Sequence, residues 1–537
     1  MDGITKHALP FSLTQVAAAV AIAFTGALGY HYACLSRSNA KNEYREIPLA
    51  IGSIPYFGHL MSYLFTDDIP AILLAEQNAN MGPILRVNMG CRPWMIISDR
   101  NMAHEVFNSN GASTSHRPKH TYERLQSAEY GIVFNSPSDR WRKTRAAGKH
   151  ICLSMSKADI SSYTVIQYLS PKHLEASMEI IEIESDYVVN RLISSDELKG
   201  VLRHLKHFTM NVVLTLGFGH RIEHPDDSFF DTWLRLIETS MQHADPFYDR
   251  RAFLPFIMGV IDWCTGTEKK LTHLMTQVRD PMLQQLIQDG VNSDKECLVK
   301  KLNDMKDEDV NEKAIIGACY DFIVAGTDTA STTLAWAMVI LCNHPKEQSQ
   351  LQAEMDKFIQ EHKRLPKFEE RDHFPLLNSL QKECMRMRPI SPLGLPRRVV
   401  KDMICREYFI PKETTLCPNI YVMNHDPQVY HDPYRFKIDR FLNNPRPMST
   451  LTKAKVEERD QFTFGFGRRS CPGAYLGELE MFHIWVRLLV RATIEPPLDQ
   501  SGHPVYPDMN KLGNGGAIIF PEQDKLRFTR RKNPLNL

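Results

Sequence analysis

The stretch FTFGFGRRSCPGAYLGELE, residues 462–480, places a glycine-rich loop directly before a helix-like pattern. One cysteine, Cys471, lies among glycines and a proline, and two arginines precede it. Apolar residues then recur at the spacing of one helix face, at Leu476, Leu479, Phe482, Val486 and Leu489. The stretch therefore predicts a loop that presents one thiol at the start of a buried helix.

The other cysteines do not supply obvious partners for Cys471. The chain has 11 cysteines, scattered between Cys34 and Cys471 without short paired spacing, which favours reduced thiols over a disulfide framework. The nearest preceding cysteine is Cys417, so local C-x-x-C spacing builds neither a zinc site nor an iron–sulfur cluster. If Cys471 binds a metal, we expect it to be the only local cysteine ligand.

The composition is that of a globular protein with a large core. The chain has 537 residues, of which 43% are hydrophobic and 24% are charged, and these are ordinary proportions. Its long middle contains no repeat or low-complexity linker, so one large domain fits the length as well as several do. The net charge of +1 excludes strong global attraction to nucleic acid, and we expect no such partner.

The N-terminal region predicts a membrane anchor. Residues 11–35 carry no formal charge and can cross roughly 30 Å of hydrocarbon as a helix. A cleaved signal peptide is the alternative because small residues such as Ala17, Ala18 and Ala19 resemble a cleavage site, but the apolar run continues past them. Basic residues follow and favour a cytosolic body. The predicted regions are a tail at 1–10, a transmembrane anchor at 11–35, a proline- and glycine-containing hinge at 36–60 and the main domain at 61–537.

Most of the remaining chain has helical patterns, interrupted by short strand-like runs. WMIISD (94–99), GAIIFP (516–521) and several pieces after Pro396 have the composition of strands. IPLAIGSIPYFGHL (47–60) predicts a turning connection instead of a helix. The sequence therefore predicts a mostly α domain with small β-sheets.

The longest predicted helix covers residues 312–345, about 45 Å. Its centre carries Gly326, Asp328 and neighbouring threonines, which lower helix propensity, and threonine hydroxyls can take over backbone carbonyls and open the helix locally. A polar face of a surface helix is one alternative, but the flanking residues are apolar nearly all round. Asp328 is therefore predicted to be buried or to line a cavity, where an acid needs a functional reason.

Two side-chain pairs are ambiguous alone. Glu383 and Arg386 lie three residues apart, and as a surface ion pair they would contribute only a few tenths of a kcal/mol. Trp141 and Arg145 lie four apart and place two hydrogen-bond donors where an anion could bind. The alternative for the second pair is an amphipathic helix with a snorkelling arginine.

Together and in this order, the features resemble the cytochrome P-450 family of haem-thiolate monooxygenases, in its membrane-anchored, microsomal and fungal-like form. The haem-loop pattern Phe-x-x-Gly-x-Arg-x-Cys-x-Gly is met by Phe464, Gly467, Arg469, Cys471 and Gly473. The central-helix pattern Ala/Gly-Gly-x-Asp/Glu-Thr is met by Ala325, Gly326, Asp328 and Thr329. The Glu-x-x-Arg and Trp-x-x-x-Arg patterns are met by Glu383 with Arg386 and by Trp141 with Arg145.

The resemblance implies that Cys471 is the axial thiolate of haem b. The glycine-rich turn and the following helix N-terminus would keep this thiolate from becoming too basic. The resemblance also implies buried donors to the haem propionates, namely Arg469, Trp141, Arg145 and Arg397. Arg398 adjoins Arg397 and offers an alternative register.

A structural network is also implied, in which Glu383 and Arg386 join Arg440 of DPYRFKIDRFL (432–442). Ile438 and Asp439 replace the usual proline and glutamate of that motif, which affects the expected turn geometry more than the arginine. The implied fold is the cytochrome P-450 fold, preceded by a single transmembrane helix.

The implied reaction inserts one atom of O2 into a lipophilic steroid, terpenoid or fatty acid. Electrons would come from NADPH through a flavoprotein reductase, with cytochrome b5 as a further partner, and Asp328 and Thr329 would deliver protons. The implied location is the endoplasmic reticulum membrane with a cytosolic catalytic domain. The expected substrate contacts are residues 113–132, Phe322, Ala325, 391–395 and 513–517.

Two alternatives remain open, and one segment departs from the family. A haem-thiolate isomerase or dehydratase would not need the Asp328–Thr329 pair, and a non-catalytic membrane haem-binding protein would make it superfluous.

The stretch LSPKHL (169–174) follows an extra segment at 151–168. That segment is interpretable as a surface loop, a lineage-specific element or a gene-model error.

Overall fold

The computed structural model of the chain describes residues 44–64, 66, 68–79, 81–118, 131–137, 168–194, 199–245, 247–248, 250–304 and 311–532, together with Thr25 and Gly29. Its α-helices are α1 (Leu60–Leu64), α2 (Pro70–Ala79), α3 (Arg100–His104), α4 (Gly111–Thr114), α5 (Pro171–Glu175), α6 (Met178–Ile193), α7 (Val201–Phe218), α8 (Ser228–His243), α9 (Arg250–Phe253), α10 (Pro255–Thr265), α11 (Thr267–Leu274), α12 (Asp280–Asn292), α13 (Leu298–Asp304), α14 (Glu312–Cys342), α15 (Pro345–His362), α16 (Pro375–Met387), α17 (Ile420–Asn424), α18 (Met448–Leu451) and α19 (Ala474–Arg491). Its strands are β1 (Ile84–Met89), β2 (Arg92–Ile97), β3 (Lys199–Gly200), β4 (Arg397–Arg398), β5 (Met403–Cys405), β6 (Tyr408–Ile410), β7 (Thr415–Pro418), β8 (Ala492–Glu495), β9 (Leu512–Asn514), β10 (Ile519–Pro521) and β11 (Lys525–Arg530). The prediction of a mostly helical protein with small sheets is confirmed.

The central helix α14 confirms the predicted long helix at 312–345. The Asn311 side chain caps its first turn by accepting from the Ala314 N–H at 3.0 Å, and the helix ends before Pro345, as the restricted backbone before a proline requires. The threonines at its centre could open the helix locally, but α14 is helical throughout. The hydroxyl of Thr329 donates to the Ala325 carbonyl at 2.6 Å, which shares a carbonyl without interrupting the helix.

Helix α7 packs along α14 at very close range. A Cβ built on Gly326 would overlap the side chain of Val213 on α7, so the glycine permits this approach. The Thr209 hydroxyl of α7 donates to the Thr327 carbonyl at 2.7 Å. The contact therefore combines a steric fit with a polar tie and holds α7 against the middle of α14.

Helix α19 follows the cysteine loop into the core. All five apolar positions predicted for its inner face are buried, which confirms that part of the sequence interpretation. Trp336 of α14 and Trp485 of α19 are both at most 1% exposed and belong to the same core cluster. The body of α19 is therefore fixed in the core, and this fixes the start of the helix next to Cys471.

The larger sheet has the strand order β1-β2-β7-β4. Strands β1 and β2 form an antiparallel hairpin that turns at Gly90, whose φ is +54°. Strand β7 pairs parallel to β2 and antiparallel to β4, and this pairing places Arg397 beside the core. The strand predicted at 94–99 is observed at Arg92–Ile97, the one predicted at 516–521 is observed at Ile519–Pro521, and the extended pieces predicted after Pro396 are also present.

The predicted anchor at residues 11–35 lies outside the described residues, apart from Thr25 and Gly29. Within the described part of the chain, α14 has the length and mean hydropathy to cross a membrane, but 78% of its apolar window is buried inside the protein. Such burial is typical of a core helix. Residues 47–59 contain no α-helix, as the hinge pattern predicts.

Candidate functional site

The loop before α19 presents Cys471 through a closed set of backbone hydrogen bonds. The Cys471 N–H donates to the Phe464 carbonyl at 2.9 Å, and the Ser470 N–H donates to the Gly467 carbonyl at 3.1 Å. A single 3₁₀ turn, Gly467–Arg469, lies between them. Cys471 itself is exposed although α19 is buried almost throughout, so the fold makes this thiol accessible at a helix start.

Gly467 is required by the close approach of another segment. Its φ is +53°, and a Cβ there would overlap the carbonyl of Phe107. Gly473 is different, because a Cβ there would lie 3.9 Å from the Cys471 sulfur, an ordinary contact distance. The two glycines of the loop pattern therefore have separate roles, one steric and one at the helix start.

Most other described thiols are poor metal ligands. Burial raises the pKa of Cys342 and of Cys405 to about 12, and burial also raises the pKa of Cys319 and Cys384. A metal binds the thiolate form, so these buried thiols are unsuited to that role. Cys264 on α10 is also exposed, but it lies in a helix and not in a glycine-rich turn.

Arg469 ties the cysteine loop to the segments near residues 115 and 132. It is 8% exposed, and its Nε and Nη1 donate to the carbonyls of Ser115 at 2.9 Å and Ile132 at 3.0 Å. Its Nη2 donates to the Asn135 carbonyl. The structure thus places a buried cation beside Cys471, where the sequence interpretation expects one.

Arg397 approaches the same loop from strand β4. Its Nη2 donates to the Phe466 carbonyl at 2.8 Å, and its guanidinium lies 4.5 Å from the ring centroid of Phe107. The neighbouring Arg398 pairs instead with Glu413 at 2.6 Å near the surface, so the register that selects Arg397 is the one that reaches the loop. Trp141 and Arg145, expected to assist these arginines, lie outside the described residues, as does most of the extra segment at 151–168.

The centre of α14 combines accessible and buried faces. Ala325 is exposed and Gly326 and Thr329 are partly exposed, although nearly all of the helix around them is buried. Asp328 is only 2% exposed, which confirms its predicted burial. Successive helix residues differ by about 100°, so the acid and the hydroxyl face different surroundings. Phe322, an expected substrate contact, packs against Gly217 of α7.

Asp328 has a partner that the sequence interpretation missed. Its Oδ1 lies 3.0 Å from Nζ of Lys206 on α7, and both side chains are largely buried. The same Nζ lies 3.5 Å from Oε1 of Glu238 on α8, whose side chain is 54% exposed. The three charges therefore form a line from the middle of α14 to the surface. A lysine in an amphipathic helix gives no sequence signal that separates this role from ordinary solvation.

A second acid of α14, Asp321, holds the segment that Arg469 also contacts. It accepts from the backbone N–H of Ile132 and from that of Val133 at 2.8 Å. Burial raises its pKa to about 6, although these N–H groups act in the opposite direction. The backbone at Ile132 is thus held through its N–H by Asp321 and through its carbonyl by Arg469. The burial argument made for Asp328 applies equally to Asp321 and could have identified it.

The structure brings Glu383, Arg386 and Arg440 together in a largely buried network. Arg386 Nε and Arg440 Nε donate to Oε2 of Glu383 at 2.6 Å and 2.9 Å, and neither Glu383 nor Arg386 is exposed. Interpreting Glu383 and Arg386 as an isolated surface pair is therefore wrong, since tertiary packing covers this face of α16. Arg440 also reaches the His431 carbonyl at 2.8 Å, so Ile438 and Asp439 leave its position intact.

Comparison with known proteins agrees with this geometry. The family model described as Cytochrome P450 matches residues 48–516. Flavonoid-6-hydroxylase of Mentha piperita is 25% identical over 89% of this chain and 92% of its own length. Cytochrome P450 monooxygenase 136 of Postia placenta, strain ATCC 44394 / Madison 698-R, is 27% identical over 90% and 89%.

Among solved structures, a zebra fish cytochrome P450 with abiraterone is similar to this chain. The two superpose with a TM-score of 0.67 at 22% identity, covering 86% of this chain and 100% of the other, so this likeness concerns the fold. The family match spans most of the chain and includes the cysteine loop, the centre of α14 and the buried Glu383 network. On these grounds, the chain belongs to the cytochrome P450 family.

Proposed function

We propose that this cytochrome P450 inserts one atom of O2 into a lipophilic small molecule of the steroid, terpenoid or fatty acid class. Electrons would come from an NADPH-dependent flavoprotein reductase, with cytochrome b5 as a second donor. Relatives are named cytochrome P450 monooxygenases. The observation that carries the proposal is the centre of α14, where Thr329 lies on an accessible strip and Asp328 connects through Lys206 to the surface.

The described residues fit haem b. Cys471 is an exposed thiol at a helix start, and the accessible strip at Ala325 and Thr329 interrupts an otherwise buried helix. Two buried cations, Arg469 and Arg397, lie beside the cysteine loop, where paired cations would compensate propionate charge. We assign Cys471 as the axial ligand and these arginines as propionate donors, together with Trp141 and Arg145.

When bound, haem with a thiolate ligand supplies the redox chemistry that activates O2. The chain must supply protons at a defined place. The Thr329 hydroxyl already donates its proton to the Ala325 carbonyl, so its oxygen is left to accept a hydrogen bond from water on the accessible side. In this position Thr329 holds the water from which a proton is transferred.

The charged line behind Thr329 supports a proton path from solvent. Glu238 is exposed enough to exchange protons with bulk water, and Lys206 lies between it and Asp328. The Lys206 ammonium lies between the carboxyl groups of Asp328 and Glu238, so its N–H groups offer hydrogen-bond donors along such a path. This arrangement gives the buried acid a route to water that does not cross the substrate side of α14.

We also propose a single-pass location in the endoplasmic reticulum membrane, with the catalytic domain in the cytosol. Helix α10 exposes large apolar residues, among them Trp263 at 66%, and the hinge exposes Ile51 at 90%. The two regions adjoin, because Ile257 of α10 packs on the cluster that contains Tyr56 of the hinge. An apolar surface next to the predicted anchor suits contact with a bilayer.

Deleting residues 1–36 should release the protein from membranes only in part, and complete release would contradict this second contact.

The first experiment tests the iron ligand. The reduced carbon monoxide complex of the wild-type protein should show the red-shifted Soret band of a thiolate-ligated haem. Cys471→Ala should abolish this band, whereas Cys264→Ala, at the other well-exposed described cysteine, should leave it unchanged. A Cys471→Ala protein that keeps the band would show that another sulfur is the ligand.

The second experiment tests the reaction. Purified protein, a flavoprotein reductase and NADPH would be incubated with a library of lipophilic compounds under isotopically labelled O2. The expected products contain one labelled oxygen atom. Products that rearrange without gaining oxygen would favour the isomerase alternative, and binding without turnover would favour a haem-binding protein.

A further inference from the structure

The cysteine loop is contacted by a third buried arginine, Arg459, which the family pattern does not include. Arg459 is 4% exposed, and its Nη2 donates to the Gly465 carbonyl at 2.8 Å. Its guanidinium lies 4.7 Å and 4.9 Å from the ring centroids of Phe462 and Phe466. Those rings stack 5.3 Å apart with an interplanar angle of 10°, so the cation lies against a pair of parallel aromatic rings.

The charge of Arg459 has no carboxylate partner among the described residues. Its Nε and Nη1 make no hydrogen bond to a described group. The adjacent acid, Asp460, is occupied by Lys382 Nζ at 2.7 Å and by Asn444. Burial lowers the pKa of Arg459 to about 10, which leaves the side chain charged at neutral pH.

Burying an arginine lowers the stability of the fold, because its charge loses contact with water, unless the charge or the planar shape of the group has a use. Cation–π contact offsets part of the desolvation cost, by about 0.5–2 kcal/mol. A buried ion can often be replaced by an apolar residue of similar volume without loss of stability. Packing alone therefore gives no reason for an arginine at position 459, and a methionine would fill the same space.

Arg459 completes the restraint of three successive carbonyls in the loop. The Phe464 carbonyl accepts from the Cys471 N–H at 2.9 Å. The next carbonyl, that of Gly465, accepts from Arg459, and the one after it, that of Phe466, accepts from Arg397 at 2.8 Å. Because each peptide unit is planar, holding three consecutive carbonyls leaves the segment that positions Cys471 little freedom to rotate.

The two arginines approach this segment through a continuous row of aromatic rings. Phe466 contacts both Phe462 and Phe107, the latter at 5.9 Å between centroids. The Arg459 guanidinium lies against the rings of Phe462 and Phe466, and the Arg397 guanidinium lies against the ring of Phe107. Two positive charges thus flank a low-dielectric layer directly under the cysteine loop, where charge interactions are stronger than in water.

We propose that Arg459 is a positioning residue for Cys471, which holds the ligand loop through the Gly465 carbonyl and supplies buried positive charge beside it. This inference rests on the proposed role of Cys471 as the haem ligand. A buried cation stabilises the more negative state of a nearby redox centre. Arg459 therefore raises the reduction potential of the bound haem, and its hydrogen bond slows loss of the thiolate ligand.

Two variants of Arg459 separate charge from geometry, and one variant serves as a control. Arg459→Met keeps most of the volume but removes the charge and the donor, whereas Arg459→Lys keeps the charge and loses the planar group that bonds Gly465 and stacks on the rings. Arg468→Gln removes an equal charge from an exposed position on the same loop. Each holoprotein would be measured for thermal stability, haem reduction potential and the rate at which the reduced carbon monoxide complex loses its thiolate band.

We expect Arg459→Met to lower the reduction potential and to accelerate loss of the thiolate band roughly tenfold or more, as expected for a lost charge-assisted hydrogen bond. Arg459→Lys should keep a potential near that of the wild type but lose the band faster. Arg468→Gln should change neither quantity appreciably. If Arg459→Met does not yield holoprotein, the faster band loss in Arg459→Lys decides the question.

The proposal would be overturned if the Arg459 variants had the same reduction potential and band-loss rate as the wild-type protein. Lower thermal stability alone would not support it, because a purely structural residue would produce that change and no other. Failure of the proposed haem ligand is recognised separately. In that case the wild-type protein itself lacks the thiolate band, or Cys471→Ala retains it, before any Arg459 variant is compared.

Discussion

Two buried charge networks in this molecule have the same kinds of side chain but different connections to solvent. In one, Glu383 binds Arg386 and Arg440, and Arg386 donates its remaining hydrogen bonds to the carbonyls of Asn424 and Pro433, both at 2.8 Å. In the other, Asp328 binds Lys206, which reaches the half-exposed Glu238. The first network ends in backbone carbonyls and the second ends in water.

We propose that this difference separates a structural network from one that moves protons. The cations of the first network are arginines, which do not deprotonate in proteins. The cation of the second is a lysine, a side chain that serves as an acid or a base in other proteins. The choice of cation and the route to the surface therefore distinguish the two, although both acids lie in helices.

The largest effect is expected from breaking the closed network. Glu383→Gln would leave two buried guanidinium groups without a counter-ion, at a cost of about 3–5 kcal/mol. A domain is typically stable by only about 5–15 kcal/mol, so we expect little haem-loaded protein. Haem content after purification and denaturant unfolding followed by circular dichroism measure this effect.

An exposed pair provides the control for that loss. Arg446 and Glu458 lie 2.7 Å apart, but both side chains are more than 40% exposed. Glu458→Gln should leave the free energy of unfolding nearly unchanged, because exposed ion pairs contribute little to stability. Similar losses for Glu383→Gln and Glu458→Gln would show that the buried network is not a structural centre.

The next effect concerns the open network. Lys206→Met should lower the rate of product formation by about 10² to 10⁴, because positioned proton transfer contributes that much. It should also destabilise the fold by stranding the Asp328 charge. The double variant Lys206→Met with Asp328→Asn should regain stability but not activity. Unfolding free energies and the solvent deuterium isotope effect on turnover measure the two outcomes separately.

A stable double variant with normal turnover would show that protons reach the site by another route. Glu238→Gln is the milder companion of these variants, because water can replace an exposed carboxylate. We expect it to change turnover less than Lys206→Met does. An effect of Glu238→Gln that exceeds that of Lys206→Met would reverse the proposed order of the path.

A smaller effect on the reaction is expected from the hydroxyl in front of this path. Thr329→Ala removes the group that holds water on the accessible strip, while the helix accepts alanine readily and haem binding should be unaffected. Product formed per NADPH oxidised should fall and hydrogen peroxide should rise, while NADPH oxidation continues. Thr333→Ala, one turn further along the same helix, provides a matched loss of a hydroxyl that also bonds a backbone carbonyl. Equal coupling in both variants would remove Thr329 from the mechanism.

The smallest effect concerns an acid of α14 that is held by backbone groups instead of side-chain cations. Burial raises the pKa of Asp321 to about 6 from an ordinary value of 3.8, so the folded protein binds this proton more tightly than the unfolded chain does. Its contribution to stability is complete below about pH 4 and is lost as the pH rises through about 6.

Asp321→Asn keeps an acceptor for the N–H groups of Ile132 and Val133 but cannot ionise. Relative to this variant, the wild-type protein should lose about 1–3 kcal/mol of stability between pH 4 and pH 6. Unfolding free energies measured across that range test the expectation. A flat difference between the wild-type protein and Asp321→Asn would mean that the Asp321 carboxyl is ionised at all these pH values.

The sequence was sufficient for the features that repeat along one element. Helical spacing identified the buried face of α19 and the length of α14, and an acid within an apolar helix indicated that Asp328 is buried. These inferences succeed because burial of one helix face follows from local periodicity. The cysteine loop was equally local, since its glycines, proline and thiol are neighbours in the chain.

The partners of these residues could not be predicted in the same way. Lys206 lies 122 positions before Asp328, and only the packing of α7 on α14 brings the two together. Arg459 looks like any charged residue before a loop, and the sequence gives no sign that its guanidinium is buried against the rings of Phe462 and Phe466. The spacing of Glu383 and Arg386 alone gave no sign that distant segments cover the pair, and only the family resemblance supplied Arg440 as their partner.

Gly326 has a consequence for how this chain can be altered. Its lack of a side chain lets Val213 of α7 touch α14, and that contact lies on the same pair of helices as the Lys206–Asp328 ion pair. A single added methyl group at position 326 would push the helices apart and lengthen this ion pair between other side chains. Libraries aimed at new substrates should therefore treat positions 213 and 326 as one unit, in which Gly326→Ala survives selection together with Val213→Ala and disappears without it.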